Sequence, residues 1–210
     1  MMRTLLGLGA ATALFPWVFR SKRGNFWGRM PLVAGGLGVY AALVRPELRQ
    51  ARPTGRDVVT ALAGAAGLYG VFQLGDRLAR LVMPRGSHEI DQIYQLRTRA
   101  PRWLIALLLA LVIAPGEELF WRGLLQQTLE TRFGRWPGAA LATLCYGGVH
   151  LGSGNLTLTG AAATAGAFWG LQYALQRRLP ALVISHIAWD IWIFLIAPTP
   201  GARSQPELAE

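Results

Sequence analysis

Long apolar runs separated by short polar segments dominate this sequence. Seven runs are long enough, or nearly long enough, to cross a bilayer as helices, because a membrane helix needs about 20 mostly apolar residues. The runs cover residues 4–19, 30–45, 57–75, 102–128, 137–152, 157–176 and 180–197. The second and fifth are short and rich in glycine, so we expect them to be tilted or tucked within the bundle. The pattern predicts an all-α fold, a polytopic bundle of about seven transmembrane helices.

The segment from Asp76 to Arg99 follows a different pattern. It mixes Leu, Ile, Val and Tyr with Arg, Glu and Asp, which is typical of an amphipathic helix that lies in the membrane interface. The tail 199–210 contains prolines, Ser and Gln and is predicted to be short and disordered. Because the apolar runs recur without a long polar linker, we interpret residues 1–198 as a single membrane-embedded domain.

The first apolar run also resembles a signal peptide, because Arg3 precedes an apolar stretch that reaches Phe15. The run continues through Phe19, past the possible cleavage site, into a basic cluster that begins at Arg20. We therefore expect a retained first helix.

Composition agrees with a membrane protein, since 52% of the residues are hydrophobic and 15% are charged, against about 25% charged in soluble domains. The net charge of +10 comes almost wholly from arginines that cluster between the apolar runs. Loops there meet anionic headgroups, so we expect the lipid bilayer, and no nucleic acid, as the partner of this charge. The loops on the two sides carry similar numbers of basic residues, which leaves the orientation open.

Residue usage bears on origin and on redox chemistry. Lys22 is the only lysine, and this arginine-rich, lysine-poor usage resembles that of a GC-rich bacterial genome, which favours a bacterial cell membrane. Cys145 is the only cysteine, which excludes an intramolecular disulfide and a cluster of cysteine ligands.

Several charged or histidine side chains lie well inside the last four apolar runs. A charged side chain at the bilayer centre costs about 2.5–3.5 kcal/mol on insertion scales, so such residues are functional candidates. They are Glu117, Glu118, Arg122, His150, His186 and Asp190.

The two glutamates follow Pro115 in the fourth run. Proline removes a backbone donor and disfavours the helical conformation at Ala114, so we predict a break or kink there, with both carboxylates near the free N–H groups of the next helical segment. Glu118 and Arg122 lie four residues apart and can form an ion pair, while Glu117 points about 100° away. This favours Glu117 as a general base; the alternative is that both glutamates neutralise Arg122.

The two histidines have ordinary alternatives as well. His150 ends the fifth run one turn after Tyr146, and it is either a site residue or a core histidine bonded to a neighbouring carbonyl. His186 and Asp190 lie four residues apart, so the carboxylate either orients the imidazole for chemistry or simply locks the helix. Helices that carry these groups could gather them into one water-accessible cavity.

Two chemistries fit such a set of residues. One is a water molecule activated by a glutamate, and the other is a metal held by histidine and carboxylate ligands. The zinc-peptidase signature H-E-x-x-H is absent, which counts against a conventional metalloprotease. We therefore expect no cofactor and no metal ligand, with zinc as the alternative.

Three short motifs occur in order on the fourth, fifth and seventh apolar runs. E-E-x-x-x-R spans 117–122, Y-x-x-x-H spans 146–150 and H-x-x-x-D spans 186–190. They resemble the motifs of the CPBP family of intramembrane peptidases, which includes the type II CAAX prenyl endopeptidases and bacterial relatives once grouped as Abi, or abortive-infection, proteins. The resemblance covers about residues 100–197. The family pattern usually has phenylalanine in place of Tyr146, and the CAAX endopeptidases have asparagine in place of Asp190.

The resemblance implies intramembrane proteolysis by a metal-independent glutamic endopeptidase. Glu117 and His150 would activate the attacking water, and His186 with Asp190 would help to hold the oxyanion. An ionised Asp190 would repel that oxyanion, so either it is protonated or it supports His186 as a cation.

Further expectations follow from the same resemblance. Glu118, Arg122 and Tyr146 would organise the site, and the substrate would be a membrane-anchored protein or peptide. A first alternative is a non-catalytic membrane scaffold, immunity or regulatory protein that retains the fold. A second is an ion- or proton-coupled carrier, against which the lack of inverted repeats speaks.

Overall fold

The structure is a computed structural model that describes residues 1–20, 25–82 and 86–198, and within these ranges every regular element is helical. Short 3₁₀ helices follow three of the longer helices, at Pro46–Gln50, Gln95–Arg99 and Leu151–Ser153. The eight longer helices of the described ranges are α1 (Met2–Arg20), α2 (Phe26–Val44), α3 (Gly55–Val82), α4 (Gly86–Tyr94), α5 (Arg102–Phe133), α6 (Arg135–His150), α7 (Leu156–Gln176) and α8 (Leu179–Ile196). The predicted all-α fold is confirmed there, and the predicted disordered tail 199–210 lies outside the described residues.

All seven apolar runs form helices, namely α1, α2, α3 and α5 to α8. Among the residues described, four helices are long and apolar enough to cross a membrane: α1, α3, α5 and α8. Large apolar side chains also remain exposed on the outside of the bundle; Leu32 and Leu111, for example, are each 70% exposed. Such surfaces suit lipid rather than water, and the chain is an integral membrane protein.

The segment predicted as one amphipathic helix over 76–99 is divided. Helix α3 continues to Val82, residues 83–85 lie outside the described residues, and α4 then begins at Gly86. The predicted start at Asp76 is wrong, because extending an existing helix adds hydrogen bonds without the cost of nucleating a new one. Helix α4 turns Ile90 and Tyr94 inward, where they pack against Phe194 of α8.

Helix α5 forms the centre of the bundle and carries both glutamates. It contains two π-helical stretches, Leu109–Ile113 and Leu119–Gln126, on either side of an α-helical stretch, Ala114–Glu118. Of the predicted break or kink, the break is wrong, since Ala114 has helical dihedrals (φ −61°, ψ −45°) and the helix continues past it, while the kink stays a prediction. The Ala114 N–H bonds to the Leu109 carbonyl, five residues earlier, and this wider turn accommodates the missing donor and the ring of Pro115. The carboxylates therefore do not meet a free helix N-terminus.

Glycines allow two close approaches that position the site. A Cβ atom added to Gly38 of α2 would lie 2.6 Å from Cα of Gly116, the residue before Glu117. A Cβ atom added to Gly166 of α7 would lie 2.7 Å from Cδ1 of Tyr146 on α6. Membrane helices pack closely where such small residues meet, so both contacts fix the helices that carry the candidate side chains.

Candidate active site

A cavity of about 590 Å³ lies among the helices. Most of its wall is apolar and comes from residues of all eight helices. Its polar lining includes Asp76 of α3, Thr157 and Thr164 of α7, and the five side chains that matter below: Glu117 of α5, Tyr146 and His150 of α6, and His186 and Asp190 of α8. The fold thus brings together, around one space, residues that the sequence analysis selected separately.

Glu117 is buried and bonded to α6. The hydroxyl of Tyr146 donates to its Oε2 at 2.8 Å, and Nε2 of His186 lies 3.9 Å from the same oxygen. A carboxylate in a mostly apolar wall is costly to bury unless hydrogen bonds and charges compensate it, and the phenol supplies one such bond.

Glu118 and Arg122 lie behind this wall as a buried pair. Nη1 of Arg122 is 2.9 Å from Oε1 of Glu118, and the two side chains are 2% and 0% exposed. The predicted ion pair is therefore present, and Glu117 takes no part in it but accepts a hydrogen bond from Tyr146. The Gly166 carbonyl accepts a further bond from Nη2 at 3.4 Å, and Cζ lies 4.8 Å from the Tyr146 ring centroid.

His150 is held in one orientation. Its Nδ1 lies 2.7 Å from the carbonyl oxygen of Tyr146, and because a carbonyl only accepts, Nδ1 carries the hydrogen. In a neutral ring Nε2 is then an acceptor. The ring also packs edge-on against Phe15 of α1, with centroids 5.1 Å apart. A core histidine would make the same carbonyl bond, but this ring also lines the cavity, where Nε2 can serve as a base.

His186 is surrounded by carboxylates. Its Nδ1 lies 2.8 Å from Oε1 of Glu118, while Nε2 lies 3.5 Å from Oδ2 of Asp190. With the nearby Glu117, three carboxylates are in a position to balance a positive charge on this ring. The i, i+4 contact predicted between His186 and Asp190 is present.

Residues of α7 and α1 that were not predicted from the sequence also pack on the site. Trp169 of α7 stacks on His186, with ring centroids 3.9 Å apart and an interplanar angle of 25°. Gly166, Trp169 and Gly170 share one face of α7, and that spacing in a helix of small residues was the available signal. Phe15 carried no signal, because a phenylalanine in an apolar run is ordinary.

Within the described part of the chain, no group of three or more His, Cys, Asp or Glu side chains is arranged to hold a metal ion. Both histidines use Nδ1 in hydrogen bonds, to Glu118 and to the Tyr146 carbonyl. The expectation that the site needs no cofactor stays a prediction.

Comparison with known proteins gives one finding. Residues 99–192 match the family model described as type II CAAX prenyl endopeptidase Rce1-like. The matched range begins just before α5 and ends inside α8, so it contains all seven site residues predicted from the sequence. Neither a curated protein nor a solved structure matches the chain.

Proposed function

Because residues 99–192 match the model of the Rce1-like, type II CAAX prenyl endopeptidase family, we propose that this chain is an intramembrane endopeptidase. It hydrolyses a peptide bond of a membrane-associated protein or peptide with a water molecule activated by a glutamate. The observation that carries the proposal is that Glu117, His150 and His186, from three different helices, line one mostly apolar cavity.

The first step is the attack of water on the scissile carbonyl carbon. Glu117 removes a proton from the water while its Oε2 stays bonded to the Tyr146 hydroxyl. His150 accepts a hydrogen bond from the water at Nε2, because Nδ1 already donates to a carbonyl. Together these two acceptors hold the water with a lone pair toward the substrate.

The second step is the collapse of the tetrahedral intermediate. His186 donates a hydrogen bond from Nε2 to the oxyanion, and Asp190, 3.5 Å from that nitrogen, balances the charge of the ring. The carbonyl re-forms, the C–N bond breaks, and Glu117 returns its proton to the leaving amine. The buried pair of Glu118 and Arg122 keeps the helix turn behind the base in place.

The apolar wall of the cavity suits a substrate that is delivered from the membrane. Prenylated proteins are one class of substrate, and bacterial peptides, bacteriocin precursors and anchored surface proteins are others. The arginine-rich, lysine-poor composition resembles that of a GC-rich bacterial genome, so we propose a multi-pass location in a bacterial cell membrane and a substrate without a prenyl group.

Proteolysis by the purified, detergent-solubilised protein tests the proposal. A panel of membrane-anchored peptides is incubated with wild type, Glu117→Gln and His150→Ala, each with and without chelator. We expect cleavage by wild type that survives chelation and falls by about 10²–10⁴-fold in both variants, the usual contribution of a general base. Glu47→Gln, on an exposed turn, is the matched control and should cleave like wild type.

Other outcomes would replace the proposal. Loss of cleavage with chelator and its return with zinc would assign the cavity to a metal. If no peptide is cut and Glu117→Gln still performs the cellular role of the protein, the chain is a scaffold that retains the fold.

A further inference from the structure

We propose that Trp169 is a positioning residue for the reaction, which holds His186 and Arg122 on the oxygen of Glu118 that they share. The inference rests on the proposed function and adds a residue of α7 to it, outside the three motifs.

Two donors converge on a single carboxylate oxygen. Nη1 of Arg122 lies 2.9 Å and Nδ1 of His186 lies 2.8 Å from Oε1 of Glu118. When His186 is protonated, both donors are cations, and they repel each other because both lie within hydrogen-bond distance of the same oxygen. A group that contacts both donors would help to hold them on this one oxygen.

Trp169 contacts both donors with its indole ring. The imidazole of His186 stacks on it with centroids 3.9 Å apart, and Cζ of Arg122 lies 5.6 Å from the indole centroid. The face of an indole attracts cations through its quadrupole, and the interaction strengthens where water is absent. At 1% exposure, Trp169 provides such a desolvated face.

The indole is itself held on its other sides. Its Nε1 donates to Oγ of Ser185 at 3.3 Å, and Trp189 packs edge-on with centroids 5.6 Å apart. Both partners belong to α8, on either side of His186 along the chain. The Gly166 carbonyl, on the same face of α7, accepts a bond from Arg122, so this face contacts both α5 and α8. A ring anchored in this way sets the plane of the imidazole.

The consequence concerns turnover. With no stacked ring, only the bond to Glu118 and the contact with Asp190 orient His186, and the imidazole can tilt so that Nε2 leaves the position that faces Glu117. A misplacement of about 1 Å in a reacting group costs about 10²-fold in rate. The same loss does not follow for an aromatic replacement, which keeps a stacking face.

Three variants of Trp169 separate stacking from packing. Trp169→Leu and Trp169→Met remove the aromatic face, and Trp169→Phe keeps one. We expect kcat to fall by about 10²-fold in the Leu and Met variants and to stay close to the wild-type value in the Phe variant. KM should be similar in all three variants. Trp192→Leu, on α8 and 48% exposed, is the matched tryptophan control and should turn over like wild type.

A spectroscopic measurement reads the stacking directly. The chain has three histidines, so labelled histidine gives three ring signals in detergent, and His186→Gln assigns one of them. We expect the ring current of Trp169 to shift the His186 signal, the shift to vanish in the Leu and Met variants, and the His150 signal to stay unchanged. The shift reports the stacking contact, and the order of the three variants in kcat, which a merely structural role would leave unexplained, reports the positioning.

The outcomes are distinguishable from a failure of the proposed function. If wild type cleaves none of the peptides, the proposed function fails and the role of Trp169 in turnover fails with it. If wild type cleaves and the Leu or Met variant retains its kcat, the positioning role alone is overturned. Equal losses in the Phe and Met variants would likewise overturn it, because loss of packing would then account for both.

Discussion

The Tyr146 hydroxyl donates to Oε2 of Glu117 at 2.8 Å, and the carbonyl of the same residue accepts from Nδ1 of His150 at 2.7 Å. One tyrosine therefore orients both groups that we propose to activate water. Its ring is fixed by Arg122, with Cζ 4.8 Å from the centroid, and by close contact with Gly166. A phenylalanine at this position would keep the ring and lose the bond to Glu117.

Tyr146→Phe should lower kcat and leave KM and the folded state unchanged. The ring keeps its contacts, while Glu117 loses the donor that fixes Oε2. A hydrogen bond to a charged group contributes about 1.5–3 kcal/mol, which corresponds to a loss in rate of about 10–100-fold. Steady-state kinetics on a peptide that wild type cleaves would measure the change.

Tyr173→Phe is the matched control. Tyr173 is also buried, but its hydroxyl donates to Gln127 at 3.3 Å, on the end of α5 beyond the cavity, so the variant should keep the wild-type kcat. An equal loss in the two phenylalanine variants, or no loss in Tyr146→Phe, would show that the hydroxyl does not act on Glu117.

Gly38→Ala should destabilise the protein and lower its activity. The new Cβ atom would lie 2.6 Å from Cα of Gly116, so α2 and α5 must move apart just beside Glu117. Overpacking of this kind costs about 1–3 kcal/mol. Gly36→Ala, two residues away on the same helix, meets nothing within 4 Å and serves as the control. Unfolding in detergent would compare them, and equal stability of the two variants would contradict the expectation.

The helices were predictable from sequence because the bilayer sets their length. Any run of about 20 apolar residues must satisfy its backbone internally, so a helix is the only open choice for a single segment. The pairings at four-residue spacing, Glu118 with Arg122 and His186 with Asp190, followed from helix geometry in the same way.

The local path of α5 and the role of α7 were not predictable in this way. The rule that proline ends a helix assumes a regular α-helical turn, whereas here the Ala114 N–H reaches back five residues to Leu109. Trp169 stacks on a histidine of another helix, and a sequence pattern carries no information on such tertiary contacts. The predicted start of the amphipathic helix at Asp76 was wrong because α3, once formed, continues through polar residues as far as Val82.

Arg122→Met should be strongly destabilising. Breaking a buried ion pair costs about 3–5 kcal/mol because an uncompensated charge is left behind, in this case on Glu118. The double variant Glu118→Gln with Arg122→Met removes that charge as well and should recover part of the stability. Unfolding of wild type, both single variants and the double variant would give the coupling energy. Additive effects of the two substitutions would show that the pair contributes nothing as a pair.

Oδ2 of Asp190 lies 3.5 Å from Nε2 of His186. The variants Asp190→Asn and Asp190→Leu together separate the effect of this side chain's shape from the effect of its negative charge. The CAAX endopeptidases carry asparagine here, so we expect the amide to keep its contact with the His186 ring. The kcat of Asp190→Asn should then stay within about tenfold of wild type. Loss of an oxyanion donor would cost more, roughly 10²–10³-fold. Leucine offers no polar partner, so His186 loses both charge balance and orientation, and kcat should fall by about 10²-fold. Kinetics at saturating peptide, with unfolding in detergent to confirm that both variants fold, would measure this. An asparagine variant as inactive as the leucine variant would show that the negative charge itself is required.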